Sequence, residues 1–366
     1  MHESHRPPPG EIQRRICGLQ REMVSRGIHG VLITQRIDLL YFSGCAQNAY
    51  LYVPQKDGPI LLVRKHLPRA ALDSPLPLLT SLDSIRDIPR LVVEHGHPIP
   101  RVLGTAWDAL PVREFNFFRG LFRSHAHVDV TDMVLGLRSI KSPWEIERIS
   151  HSSRLCEMTL QHLEACIRPG TTETRIAGLS EAFARRHGHG GGIRVRLPSE
   201  DDRSGWLADD RGVVPDKGPF TVGFRSVVNG YHAATARIYG RESGPGSDRR
   251  AADSLEAFHE SILSKAAGCT SLEELAAAAC GTAKRTKYGD PAMGCNQALQ
   301  GIGLELREPV EQTTVTGKLR KGGACIVLES RTRTLKGRAL CIQDTLIMDS
   351  RGIRLALLPI ETPPFF

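Results

Sequence analysis

Apolar positions in the first third of the chain alternate between two periods. From Glu11 to Arg26, the residues Ile12, Ile16, Leu19, Met23 and Val24 recur at helical spacing, and Gly27 follows as a stop. Continuous β-rich runs come next, at Gly30-Val-Leu-Ile-Thr34, Tyr50-Leu-Tyr-Val53 and Pro59-Ile-Leu-Leu-Val63. The polar turn Gln55 to Gly58 predicts a hairpin between the last two. Arg101 to Gly104 and His127 to Thr131 predict short strands, and Ser84 to His95 and Val112 to Phe122 predict helices. Strands alternating with helices predict an α/β unit over residues 1–137, a mixed sheet covered by helices.

The pattern changes near Arg138, where a second unit, 138–366, begins. Ser142-Pro143 caps and opens a long helix, with Glu145 and Glu147 in its positive first turn. It carries Ile146, Ile149, Leu155, Met158, Leu160 and Leu163, and Pro169-Gly170 ends it. Thr171 to His187 predicts another helix, followed by a Gly-rich turn from Gly188 to Gly192. Ile193 to Leu197 and Pro219 to Tyr239 are strand-like. Helices over Arg250 to Ala267 and Ser271 to Lys284 precede strands near Gly303 to Leu306, Ala324 to Leu328, Leu340 to Met348 and Ile353 to Leu357. This predicts an α+β unit of antiparallel strands with helices on one face.

Composition narrows the classes. The 366 residues are 40% apolar and 24% charged, which excludes a disordered chain. No apolar stretch approaches the roughly 20 residues that cross a bilayer, so no membrane association is expected. Met1 to Gly10 is polar and Pro-rich, so no signal peptide is expected there. The nine cysteines are odd in number and form no C-x-x-C pair, which points to free thiols in a cytoplasmic protein. The net charge of +8 is mild, and no basic stripe with interleaved aromatics marks a nucleic-acid surface. The tract Gly188 to Gly192 reads as a turn rather than a metal site, and with no following Lys-Ser/Thr it is no phosphate loop.

Several segments together resemble the creatinase / Xaa-Pro peptidase ("pita-bread") family. They are Asp38-Leu-Leu-Tyr-Phe-Ser-Gly44, Arg138-Ser-Ile-Lys-Ser-Pro-Trp-Glu-Ile-Glu-Arg-Ile149, Ile167-Arg-Pro-Gly-Thr-Thr-Glu173, Val228-Asn-Gly-Tyr-His232 with Arg237, Gly301-Ile-Gly-Leu-Glu-Leu-Arg-Glu-Pro309, Leu328-Glu329 and Gln343-Asp-Thr-Leu346. The resemblance implies a creatinase-like α/β N-terminal domain, an α+β pita-bread C-terminal domain and a homodimer. It also implies a site where two Asp, one His and two Glu hold two Mn, Co or Zn ions, whose charge four carboxylates balance.

This sequence departs from that pattern at the ligands. The first Asp position is Gly223, the second Ala234, the His position Gln300 and the second Glu position Gln343; only Glu329 keeps its carboxylate. The family's substrate-side histidines fall near Trp206 and on Arg307. One carboxylate cannot neutralise two dications, so no metal cofactor is expected. Asp344, His232 and Cys295 are the neighbouring candidates for a displaced ligand set, and Asp344 would have to flip to the other strand face.

The altered pocket would hold Glu329 beside Arg237 and Arg307, with Arg331 two residues further on. Guanidinium forks match carboxylates. A ligand site of Arg237, Gln300, Arg307, Glu329 and Gln343 is therefore expected, taking a small carboxylate or peptide, or else closed by a Glu329–Arg bridge. The first reading is a degenerate, metal-free Xaa-Pro peptidase homologue that binds a small anion or a protein partner. The second is a metal-independent creatinase-like C–N hydrolase using Arg307 and Glu329; its base would have to be His232, and a further Glu of that mechanism falls on Ala236. The third is a working metallopeptidase with displaced ligands.

Overall fold

The computed structural model describes residues 6–122, 126–192, 194–196, 212–240, 246–269, 271–285, 299–308, 323–334, 338–349 and 351–356. The expectations for Trp206, Cys295 and Pro309 lie outside these residues. The chain divides into two compact units, Met1–Arg138 and Ser139–Phe366. Among the described residues no helix is long and apolar enough to cross a membrane.

The first unit opens with α1 (Pro9–Ser25), which buries Ile12, Ile16, Leu19 and Met23 as the spacing predicts. Its six-stranded sheet contains β1 (Gly30–Ile33), β2 (Ala49–Pro54), β3 (Ile60–Val63), β4 (Leu79–Ser81), β5 (Val102–Thr105) and β6 (Ala126–Asp129), in the order β4-β3-β2-β1-β5-β6. The expected β2–β3 hairpin forms, and β1–β2 is antiparallel as well. The pairs β3–β4, β1–β5 and β5–β6 are parallel, so the sheet is mixed. The helix α2 (Arg36–Ser43) ends at Gly44, whose φ of 73° is a left-handed cap. Within it Asp38 forms a buried ion pair with Arg138 at 2.9 Å. The remaining helices are α3 (Leu67–Asp73), α4 (Ile88–Glu94), α5 (Val112–Phe122) and α6 (Thr131–Ser139).

The second unit is built on a seven-stranded antiparallel sheet. Its strands are β7 (Arg194–Arg196), β8 (Phe220–Val228), β9 (Tyr231–Tyr239), β10 (Leu299–Gly301), β11 (Ala324–Arg333), β12 (Ala339–Asp349) and β13 (Gly352–Leu355). They run in the order β10-β11-β12-β9-β8-β7, with β13 paired to β12. The long strand-like run from Pro219 to Tyr239 folds back at Asn229-Gly230, where both residues have positive φ (52° and 86°). That two-residue turn suits a tight hairpin and fixes its register.

Among the described residues this unit carries the helices α7 (Pro143–Cys166), α8 (Glu173–Arg186), α9 (Gly246–Ala266) and α10 (Leu272–Arg285). A reciprocal cap between Ser142 and Glu145 starts α7, and such caps contribute about 1 kcal/mol. Leu155, Cys156, Leu160 and Leu163 of α7 pack on Val222, Phe224 and Ala233. Ile262 and Ala266 of α9 pack on Ile326, Leu328, Leu346 and Met348. Alternation along each strand therefore gives one sheet face to the helices and leaves the other for the site. One expectation fails: Gly303 to Leu306 is not a strand. The paired segment is β10, and residues 303–307 form a bend closed by a bridge between Gly301 and Glu308.

Candidate ligand site

The strand register assembles the site on the face away from the helices. Glu329 pairs with Gln343, Gln343 with Ala236, and Ala236 with Gly223, one row across β11, β12, β9 and β8. In the next row Ala234 stands directly opposite Arg225. Thr345 locks this register through its hydroxyl, which bonds both the N–H and the C=O of Ala234 at 3.0 Å. A small cavity of about 20 Å³ results, lined by Arg225, Ala234, Gln300, Ile302, Leu306, Val327, Glu329 and Gln343.

One wall is the bend after β10. Gln300 donates from its amide to the Leu306 carbonyl, and the His232 N–H donates to the Gly303 carbonyl at 2.7 Å. The bend is anchored from below by Lys141, whose ammonium meets the Glu308 carboxylate at 2.8 Å with both side chains buried. A side chain at Gly303 would collide with that carboxylate, which explains the glycine there.

The carboxylate that lines the cavity is paired. Both oxygens of Glu329 are engaged, Oε1 by the Arg331 guanidinium and Oε2 by the Gln343 amide. Because a carboxylate only accepts, the Gln343 nitrogen must face Glu329, and its Oε1 points elsewhere. That oxygen is buried and has no hydrogen-bond partner among the described residues. The Glu329–Arg bridge anticipated from sequence thus exists, and its partner is Arg331.

Gln300, Glu329 and Gln343 converge as expected, but Arg237 and Arg307 do not join them. Arg237 lies three residues beyond Ala234, on the opposite strand face. There it pairs with Glu157 of α7 and, at 2.7 Å, with Asp344. Arg307 is exposed and does not line the cavity. The cavity's cation is Arg225, which the sequence reading passed over. Its signal was available: it follows Gly223 by two residues and faces Ala234 across a turn that Asn229-Gly230 marks.

The other candidates fall into place by the same alternation. Asp344 is on the helix side, as the unflipped register requires, where it accepts from His259 Nε2 at 2.9 Å. The other ring nitrogen of His259 meets Ser330 Oγ at 2.8 Å, and all three groups are buried. Burial alone would raise the Asp344 carboxyl, but the His259 and Arg237 hydrogen bonds outweigh it and hold the group below its ordinary value. His232 shares the parity of Ala234 and Ala236 along β9. Burial pushes its imidazole down to about 4; the nearby Glu308 opposes this, while Arg225 and Arg194 reinforce it.

The metal pair implied by the resemblance was tested against these donors. Gly223, Ala234 and Ala236 supply none, Gln300 and Gln343 are neutral, and the one carboxylate is tied to a guanidinium. Among the described residues no group of three or more His, Cys, Asp or Glu is placed to hold a metal ion. This donor set does not fit a dinuclear centre.

Comparison with known proteins places the whole chain. Residues 15–140 match the Creatinase/Prolidase N-terminal domain family, and residues 147–350 match metallopeptidase family M24. No curated protein matches the chain. Among solved structures, the prolidase from Pyrococcus horikoshii OT3 is similar at TM-score 0.77 and 18% identity, covering 96% of this chain and all of that one. The Xaa-Pro dipeptidase from Bacillus anthracis is similar at TM-score 0.75 and 19% identity, covering 97% and 99%. The His350Ala form of Escherichia coli aminopeptidase P is similar at TM-score 0.72 and 13% identity, covering 98% and 97%. With a creatinase-type N-terminal domain ahead of a pita-bread domain that matches over more than half its length, the chain belongs to metallopeptidase family M24.

Proposed function

We propose that this member of the M24 family is metal-free, lacks Xaa-Pro peptidase activity and uses its cavity to bind a small anionic ligand. The observation that carries the reading is the exchange of charge in the cavity. Positions that the resemblance assigns to Asp, His and Glu hold Ala234, Gln300 and Gln343, and the guanidinium of Arg225 stands across from Ala234. A fixed cation repels divalent metals and attracts carboxylate or phosphate. The solved relatives bear the names prolidase and Xaa-Pro dipeptidase, so Xaa-Pro dipeptides are the relevant assay.

The creatinase-like hydrolase receives less support. Its substrate-binding Arg would be Arg307, which is exposed, and its candidate base, His232, is a weak one at about 4. The test is elemental analysis of protein purified in the presence of Mn²⁺ or Co²⁺, together with assays on Xaa-Pro dipeptides and creatine-like compounds. We expect substoichiometric metal and no cleavage. Two metal ions per chain with dipeptide turnover would restore the peptidase reading, and metal-free cleavage of a creatine-like compound would restore the hydrolase.

A further inference from the structure

The strand register sets two arginines side by side. Arg194 of β7 stands directly opposite Arg225 of β8. Residues so paired across antiparallel strands share one sheet face, with Cβ atoms about 4.5–5.5 Å apart. That face is the one carrying the cavity, which Arg225 lines. The row continues through Ala234, Thr345, Val327 and Gln300, all neutral. Both charges reach the same neighbour, since Arg225 and Arg194 each help to depress the His232 imidazole. The acid that opposes them there, Glu308, is buried and bound to Lys141.

Like charges set directly opposite each other on a sheet cost stability. An anion shared between them turns that repulsion into attraction. The cavity itself, about 20 Å³, has room for about one water, so a larger ligand meets Arg225 outside it. Arg225 is half-buried, whereas Arg194 is exposed on the strand that ends the sheet among the described residues, so the pair is reached from the Arg194 side. Two guanidinium forks present up to about ten N–H donors, more than one carboxylate can accept. A phosphoryl group offers three or more strong acceptor oxygens and close to two negative charges, so it engages both forks at once.

Deepening the anion-binding reading, on which this rests, we infer that the ligand carries a phosphoryl group, free or as a small monoester, held between Arg194 and Arg225 at the β7–β8 edge of the cavity.

Calorimetric titration of the full chain at constant low ionic strength with inorganic phosphate, glycerol 3-phosphate and acetate tests this. Phosphate or glycerol 3-phosphate should bind at least about tenfold more tightly than acetate. Binding of the ester places the ligand among monoesters, and binding of phosphate alone among free anions. Arg194→Gln should weaken the tighter of the two at least about tenfold, and Arg225→Gln should do the same. Arg64→Gln removes the same charge from an exposed position in the first unit and should leave the affinity within about twofold. Circular dichroism reports whether each variant folds. Arg194 is exposed, so its variant and the wild-type ranking decide the matter if Arg225→Gln does not fold. Acetate as tight as phosphate, or Arg194→Gln without effect, overturns the inference and leaves the anion-binding reading standing. An equal loss in Arg64→Gln overturns it as an effect of net charge. Silence from all three probes sinks the inference and the anion reading together and leaves Arg194 as a charge that guards an edge strand, while the metal-free claim still rests on elemental analysis.

Discussion

At the scale of single residues, parity along a strand decides which side chains take part. Gln300, Glu329 and Gln343 were legible because short motifs on both sides pin their register. Arg237 was misplaced and Arg225 missed because proximity in sequence was weighed without the two-residue alternation. His232 has the right parity but the wrong basicity. Its ring titrates near 6.5 in an unfolded chain and at about 4 in the fold, with burial as the main cause. The neighbouring Glu308 opposes this shift, and Arg225, Arg194 and His189 deepen it. In that window the unfolded chain binds more protons, so stability is full above pH 6.5 and falls as pH drops toward 4. The shift corresponds to on the order of 3 kcal/mol. Urea midpoints at pH 7 and pH 4.5 should therefore differ more for the wild type than for His232→Asn. His189, also depressed by burial, is present in both proteins, so the difference between them reports His232 together with its coupling to His189. An identical acid loss in the two would assign the effect elsewhere.

At the scale of elements, the long helices could be read from their period. The β8–β9 hairpin reads as one strand-like run although Asn229-Gly230 marks its turn, and α2, α3 and β4 could not be read. Those short elements owe their form to tertiary packing rather than to propensity. The bend at 303–307 escaped for a similar reason: its shape depends on Lys141, far away in sequence, meeting Glu308. Equally long-range is the polar chain Glu157–Arg237–Asp344–His259–Ser330, which ties α7 and α9 to β9, β11 and β12 beneath the site. It contains the residue types of a hydrolase triad, but Ser330 and His259 are each 3% exposed, so it serves as a brace. Removing its cation would leave the buried Asp344 and half-buried Glu157 carboxylates facing each other. Burial and Asp344 already press the Glu157 carboxyl upward, with Arg237 holding it down. Arg237→Leu should cost about 1–3 kcal/mol in urea unfolding, less than for a fully buried pair because a third of the Arg237 side chain is exposed. A variant as stable as the wild type would show that this chain does not brace the sheet.

At the scale of the whole molecule, the positions that the resemblance assigns to metal ligands can vary without loss of the fold, because the two faces of one sheet carry separate tasks. The helix face supplies the buried apolar packing through Val222, Phe224, Ala233, Ile326, Leu328 and Leu346. The cavity face contributes few of these contacts, so Asp, His and Glu positions there can become Gly, Ala and Gln with the core intact. Restoring them should then be possible without refolding the domain. A variant with Gly223→Asp, Ala234→Asp, Gln300→His and Gln343→Glu regains, with Glu329, the donor set that the resemblance implies. Arg225 is the obstacle, since its charge stands across from position 234 and Arg331 already occupies Glu329. Manganese titration of this fourfold variant should show weak binding. Adding Arg225→Ala should tighten it at least about tenfold, because removing a like charge next to a dication lowers the electrostatic cost of its entry. Two tightly bound manganese ions in the fourfold variant with Arg225 in place would show that the guanidinium does not guard the site, and the exchange of charge that distinguishes this cavity would lose its physical basis.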